Sequence, residues 1–215
     1  MKHLRHMLRR RKYISSRLDV QKHFEEWEET CLPSYVHRNI FAAYVSWQRL
    51  FGARKLAFDV ANPTSVLDFG SGTGELKRLL PPSVRYFYIE EEAAAAKWIE
   101  EEYPDAVRIT LANPPESKFE AIFALDSLEH NDNYPELINR LGGMLADDGI
   151  LVISGPTENF MYRLGRKLAG FSGHYHHTTI HQINHYVDGK MTLMKRARLP
   201  HGLSLFVLSC WKRTR

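Results

Sequence analysis

The sequence predicts a doubly wound α/β protein, on three observations. Beyond Asn62-Pro63, short β-rich runs alternate with helical segments. The first of those runs ends in a glycine-rich turn, and the last two are joined by a connection too short to hold a helix. Strands spaced by helices pair in parallel through right-handed crossovers, so the sheet should be mostly parallel with one antiparallel hairpin at its end.

The chain opens on a basic stretch. Lys2, Arg5, Arg9, Arg10, Arg11, Lys12 and Arg17 are met by no acid before residue 18, although the whole chain carries only +4. Residues 1–18 read as a solvated basic tail able to touch an anionic surface. No aromatic interleaves with these charges before Tyr13, which argues against nucleic acid and leaves weak contact with an anionic membrane. Residues 19–62 read as a helical extension, with Phe24, Trp27, Tyr35, Ile40, Phe41, Trp47 and Leu50 set among charges. Pro33 and Gly52 are expected to break it.

Strands follow at Ser65–Gly70, Val84–Glu90, Ala106–Thr110, Ala121–Leu125 and Ile150–Ser154. Helices are expected between them at Glu75–Leu80, Glu92–Glu102 and Tyr134–Leu145. Leu193–Arg198 and Leu203–Trp211, separated only by Leu199-Pro200-His201-Gly202, should form the hairpin. In residues 159–171 the apolar positions 160, 161, 164, 168 and 171 have helical spacing with Arg163, Arg166 and Lys167 between them. That is the pattern of a basic amphipathic helix, a second candidate for membrane contact.

Composition limits the function classes. At 215 residues and 44% hydrophobic, the chain fills one core and is short for two. Apolar runs such as Ile150–Ile153 fall far short of the roughly 20 residues a bilayer needs. The basic start is not followed by an apolar stretch, so no secretory signal is expected and the location is read as cytoplasmic or peripheral to the membrane. Cys31 and Cys210 have no metal-ligand spacing, which excludes a disulfide scaffold or zinc module.

The chemistry begins at Val66-Leu67-Asp68-Phe69-Gly70-Ser71-Gly72-Thr73-Gly74-Glu75-Leu76. Gly70, Gly72 and Gly74 allow a tight turn and close approach of a ligand to the backbone. The spacing is not that of a dinucleotide fingerprint, since position 75 is Glu, and no Gly-Lys-Ser/Thr marks a Walker loop. Asp68 and Glu75 flank the turn, and two carboxylates would repel a pyrophosphate. They suit a ligand bearing an ammonium and a sulfonium, a pair found in S-adenosylmethionine. Glu90 ends the next strand 20 positions beyond Gly70, the separation at which an acid meets a nucleoside ribose.

With Phe123–His130 (FALDSLEH) and Leu145–Pro156 (LADDGILVISGP), these motifs resemble class I S-adenosylmethionine-dependent methyltransferases of the small-molecule type. Within that class the chain is similar to the ubiquinone-biosynthesis O-methyltransferase group, most clearly over residues 65–156. The resemblance implies a Rossmann-like methyltransferase domain over residues 63–215, with a seven-stranded sheet ordered 3-2-1-4-5-7-6 and its seventh strand antiparallel. It further implies that Asp68, Gly70, Ser71, Gly72 and Gly74 line the methionine half of the cofactor and that Glu90 holds the ribose. Adenine would lie near Leu111, Ala112 and Asn113, and Asp126 and Ser127 beside the sulfur. The product would be S-adenosylhomocysteine.

A hydroxyl acceptor on a small molecule, lipid-linked or free, would profit from a general base. His130 after the fourth strand, or His174, His176 and His177 after the fifth, stand where open α/β sheets bind ligands. Asp126, Glu129 and His130 would also permit a divalent cation; the expectation is that no metal is bound. Methylation of RNA or protein, and a non-catalytic S-adenosylmethionine-binding module, are the alternatives.

Overall fold

The computed structural model describes residues 2–20, 22, 27, 30–163 and 178–213. The seven strands are β1 (Ser65–Phe69), β2 (Arg85–Ile89), β3 (Val107–Arg108), β4 (Phe119–Leu125), β5 (Leu145–Pro156), β6 (Met191–Leu199) and β7 (Phe206–Arg213). They lie in the order β3-β2-β1-β4-β5-β7-β6. The first five pair in parallel, while β7 is antiparallel to both β5 and β6. This is the doubly wound sheet that the alternation of strands and helices requires, closed by the hairpin that the short 199–202 connection requires. The third strand is only two residues long, against the five expected, because it is an edge whose side chains are exposed.

The central strands are buried on both faces, so their side chains sort by alternation into two cores. Val66, Phe123, Val152 and Leu208 face one layer, and Leu67, Ile122, Ile153 and Val207 face the other. The second layer is built by α5 (Tyr134–Met144) and α6 (Ile180–Asp188). Helix α6 begins with a capping box in which Thr179 and Gln182 satisfy each other's backbone amides. The first layer is built by α1 (Lys2–Arg17), the short α2 (Leu32–Tyr35), α3 (Ile40–Val60) and α4 (Ala93–Glu102).

The structure differs from the sequence expectations at three elements of this layer. The basic stretch is not a solvated tail: α1 buries Met7, Arg10 and Ile14 at i, i+3 and i+7, one helical stripe. Helix α3, capped by the Asn39 side chain, runs unbroken through Gly52. A Cβ there would lie 2.8 Å from Leu199 Cδ1 and 3.0 Å from Leu208 Cδ2, so this glycine lets the helix press against the β6–β7 hairpin. The helix expected over Glu75–Leu80 is only a 3₁₀ turn, Lys77–Leu79. Pro81 disfavours helical geometry at Leu80, which is extended, and Glu75 is held elsewhere.

Candidate active site

The carboxyl ends of β1, β2 and β4 converge on the glycine turn. Gly70, Gly72 and Gly74 all have positive φ, between +54° and +70°. The turn is stitched to the next strand by the Gly70 and Ser71 amides, which donate to the Ile89 carbonyl at 3.0 and 3.3 Å. A Cβ on Gly70 would stand 2.5 Å from Ser127 Cβ, so only glycine lets the turn close on the tip of β4. At Gly72 the situation is the reverse. The residue is buried, yet among the described residues a Cβ there would meet only the Cys31 amide nitrogen, at 3.9 Å. Only the backbone just ahead of α2 comes this near, at ordinary contact distance, so nothing among these residues crowds Gly72.

Four unpartnered groups gather at this turn and the tip of β4. Ser71 Oγ, Thr73 Oγ1, Ser127 Oγ and both carboxylate oxygens of Glu129 are buried with no hydrogen-bond partner among the described residues. Buried polar atoms in native proteins are almost always satisfied, so such a cluster marks a place built for a polar ligand. Glu90 is fixed ready-made: its carboxylate accepts from the Gly72 amide at 2.6 Å and the Glu92 amide at 2.9 Å. Each oxygen keeps a further lone pair for a diol. Burial raises its pKa, against the backbone amides that favour the charged form. Asp68 lies beneath the turn and accepts from the Tyr86 hydroxyl at 2.6 Å. Burial pushes its pKa up to about 7, although the Tyr86 hydrogen bond favours the anion. A cradle at Gly72, an anchored acid 18 residues away and unclaimed hydroxyls are what a nucleoside carrying an amino-acid tail needs. The residues fit S-adenosylmethionine.

Two carboxylates near the turn are already committed. Glu75, one of the two acids flanking it, receives a bidentate pair from Arg10 of α1, Nε at 2.9 Å and Nη2 at 2.6 Å. Burial opposes the Arg10 charge, but the hydrogen bonds to Glu75 outweigh it and hold the guanidinium above its ordinary pKa. Asp126, at the tip of β4, has a positive φ of 51° and accepts from Ser154 Oγ at 3.1 Å. It also forms a buried ion pair with Arg49 of α3, whose guanidinium lies 4.6 Å over the Phe206 ring. Arg10 and Arg49 had no sequence signal of their own, since a cation in a helix reads as a solvated one. The only clue was helical spacing, which puts Arg10 on the Met7–Ile14 stripe.

The 3₁₀ turn Leu128–His130 separates its two polar residues. His130 is exposed, whereas Glu129 is 1% exposed, and burial pushes the Glu129 pKa up to about 7. Ala112 and Asn113 are exposed on the loop after β3, where the Asn113 amide donates to Thr110 Oγ1 at 3.2 Å. His174, His176 and His177 lie outside the described residues, as do residues 164–171 of the basic amphipathic segment; residues 160–163 are helical. Among the described residues no three His, Cys, Asp or Glu side chains converge to hold a metal ion. Nor is any helix among them long and apolar enough to cross a membrane.

Comparison with known proteins gives one family and one fold. The profile of the methyltransferase domain family matches residues 16–190, from the end of α1 to just past α6. No curated protein sequence matches the chain. Among solved structures the chain is similar to the N-methyltransferase NodS from Bradyrhizobium japonicum in complex with S-adenosylhomocysteine. The TM-score is 0.65 at 15% identity, over 80% of this chain and 88% of that one. It is also similar to the Burkholderia thailandensis 1,6-didemethyltoxoflavin-N1-methyltransferase, with a TM-score of 0.57 at 18% identity, over 78% and 79% of the two chains. The plantazolicin methyltransferase BpumL gives 0.62 at 13% identity, over 78% and 85%.

Proposed function

Because the chain belongs to the family of S-adenosylmethionine-dependent methyltransferases, we propose that it methylates a hydroxyl group of a small, lipid-linked molecule. The observation that carries the cofactor half of this reading is the uncrowded, positive-φ Gly72, whose amide is held by the anchored Glu90, with the unpartnered Ser71 and Thr73 hydroxyls on the same turn and that of Ser127 at the β4 tip. Glu90 would hold the ribose, the Gly70–Gly74 backbone and Ser71 the methionine end, and Ala112 and Asn113 the adenine. Asp68 would act from beneath by fixing the turn. S-adenosylmethionine supplies a methyl group already activated on a sulfonium, so the protein's task is to align the acceptor and exclude water.

Arg49 supports the acceptor side. By pairing with Asp126 it ties α3 to the β4 tip beside Ser127 and leaves Ser127 Oγ free to meet a ligand. The acceptor proton then needs a base. His130 follows the β4 tip and has the ordinary chemistry for the role, with His174 and His176 positioning the acceptor. A second reading is favoured by burial: Glu129 is enclosed, without a side-chain partner among the described residues, and on the same turn, while His130 is exposed. Either group would accept a proton from a hydroxyl or a protonated amine.

Calorimetry with S-adenosylhomocysteine should show binding at micromolar concentrations, and tight binding of NADH instead would overturn the family-based reading of the site. The acceptor half is tested by turnover on paired acceptors that differ only in bearing a hydroxyl or an amine. Preference for the amine would replace the hydroxyl assignment. With an active acceptor, His130→Ala and Glu129→Gln separate the two bases. The true base should lose about 10²–10⁴ in turnover with S-adenosylhomocysteine affinity unchanged.

A further inference from the structure

We propose that the outer face of α1, together with the first turn of α3, docks on an anionic phospholipid layer. The inner face of α1 is fully engaged: Met7 and Ile14 sit in the core, and Arg10 clamps Glu75 while its Nη1 reaches Glu102 at 3.0 Å. The helix is therefore a rigid part of the domain that presents a fixed outer surface.

That outer surface is both cationic and apolar. Lys2, Arg5, Arg9 and Lys12 are exposed, and no ion pair among the described residues involves them. Lys2, Arg5, His6 and Arg9 line a basic groove with Arg78. A second groove, lined by Lys2, His3, Leu4, Ile40, Phe41 and Tyr44, adjoins it. Lys2 belongs to both, so the cationic and apolar strips share an edge. Half of the ten large hydrophobic residues exposed among the described residues lie here: Leu4, Leu8, Ile40, Phe41 and Tyr44. Phe41, at 78% exposure, is the most open of all. Leu4 and Leu8 stand one turn apart beside the Arg5–Arg9 row, which is the sidedness of a helix lying in a membrane interface.

Charge complementarity selects an anionic partner, and the apolar strip selects among anions. A phosphate backbone would engage the arginines but gives Leu4, Leu8, Ile40 and Phe41 nothing to bury against. A phospholipid layer takes both, phosphate heads against the cations and acyl chains against the apolar edge. This surface differs from the 159–171 segment, and docking on it involves no step of methyl transfer.

The test is co-sedimentation of the full chain with vesicles of phosphatidylcholine alone and of phosphatidylcholine mixed with phosphatidylglycerol. Binding should require phosphatidylglycerol and weaken with salt. Arg5→Glu with Arg9→Glu should lower it about a hundredfold, and Phe41→Ser, which removes apolar area only, about tenfold. Both variants change exposed side chains, and unchanged S-adenosylhomocysteine affinity in each would show an intact fold and keep this test separate from that of the activity. Equal binding to the two vesicles, or binding that neither variant alters, would overturn the proposal. So would affinity for a short RNA, insensitive to Phe41→Ser, with none for vesicles; the cations would then belong to nucleic acid.

Discussion

At the scale of single residues, the glycine turn gives the sharpest expectations because its two key glycines are needed for different reasons. Gly70 is small so that the turn can touch Ser127, and Gly72 is small so that something else can touch the turn. Gly72→Val should therefore leave the sheet intact while placing a branched side chain, in a positive-φ position, where a ligand would approach the backbone. The expected outcome is loss of S-adenosylhomocysteine binding by calorimetry with the far-ultraviolet circular dichroism retained. Normal affinity in that variant would show that the cofactor does not approach the backbone here. Glu90→Ala should cost about 1.5–3 kcal/mol of binding, the range for hydrogen bonds to a charged acceptor. Both residues are legible in the sequence, one from the Gly-x-Gly-x-Gly spacing and the other from its distance along the chain. The partners of Asp126 and Glu75 are not, because Arg49 and Arg10 reach them from 77 and 65 residues away through tertiary packing.

Among the elements, those with a period-two or period-3.6 apolar pattern around a defined turn were readable, and those shaped by contact with another element were not. Strands β1, β2, β4 and β7 and helices α4 and α5 are set by their own residues. Gly52 looks like a helix breaker because propensity counts its missing side chain as a loss, whereas in α3 that absence allows contact with Leu199 and Leu208. Gly52→Leu should overpack this contact and lower stability by about 1–3 kcal/mol in urea unfolding. Helix α1 departs from its sequence pattern for a related reason. Its charge made it look solvated, yet its burial depends on one of those charges. Arg10→Met should destabilise by about 3–5 kcal/mol, since it leaves the Glu75 carboxylate buried and unpaired. Adding Glu75→Leu should recover most of the loss. A double variant no better than the single one would mean that α1 is held by Met7 and Ile14 rather than by the ion pair.

For the whole molecule, the order of the sheet placed the glycine turn, the β2 acid and the β4 tip at one end, and this much of the site was written in the sequence. What closes that end comes from residues 30–60, which carry no motif: the Cys31 backbone over Gly72 and Arg49 on Asp126. The closure leaves acids dry, and that has a consequence for stability. Asp68 titrates at about 7 in the folded protein, far above the ordinary value of 3.8 to which unfolding returns it. Between those values the folded state keeps a proton that the unfolded state has released. Its contribution is thus complete below about pH 4 and is lost as pH rises towards 7, by about 1.4 kcal/mol per pH unit. The ligand-free protein should accordingly become less stable to urea from pH 5 to pH 7. Asp68→Asn keeps an acceptor for the Tyr86 hydroxyl but has no proton to lose, so it should flatten that slope by about one proton. Below pH 5 the pairs that hold Asp59 and Glu102 under their ordinary pKa act in the opposite direction, so the measurement belongs above that range. An unchanged slope in Asp68→Asn would mean that water reaches the carboxyl and that the turn is not closed over it.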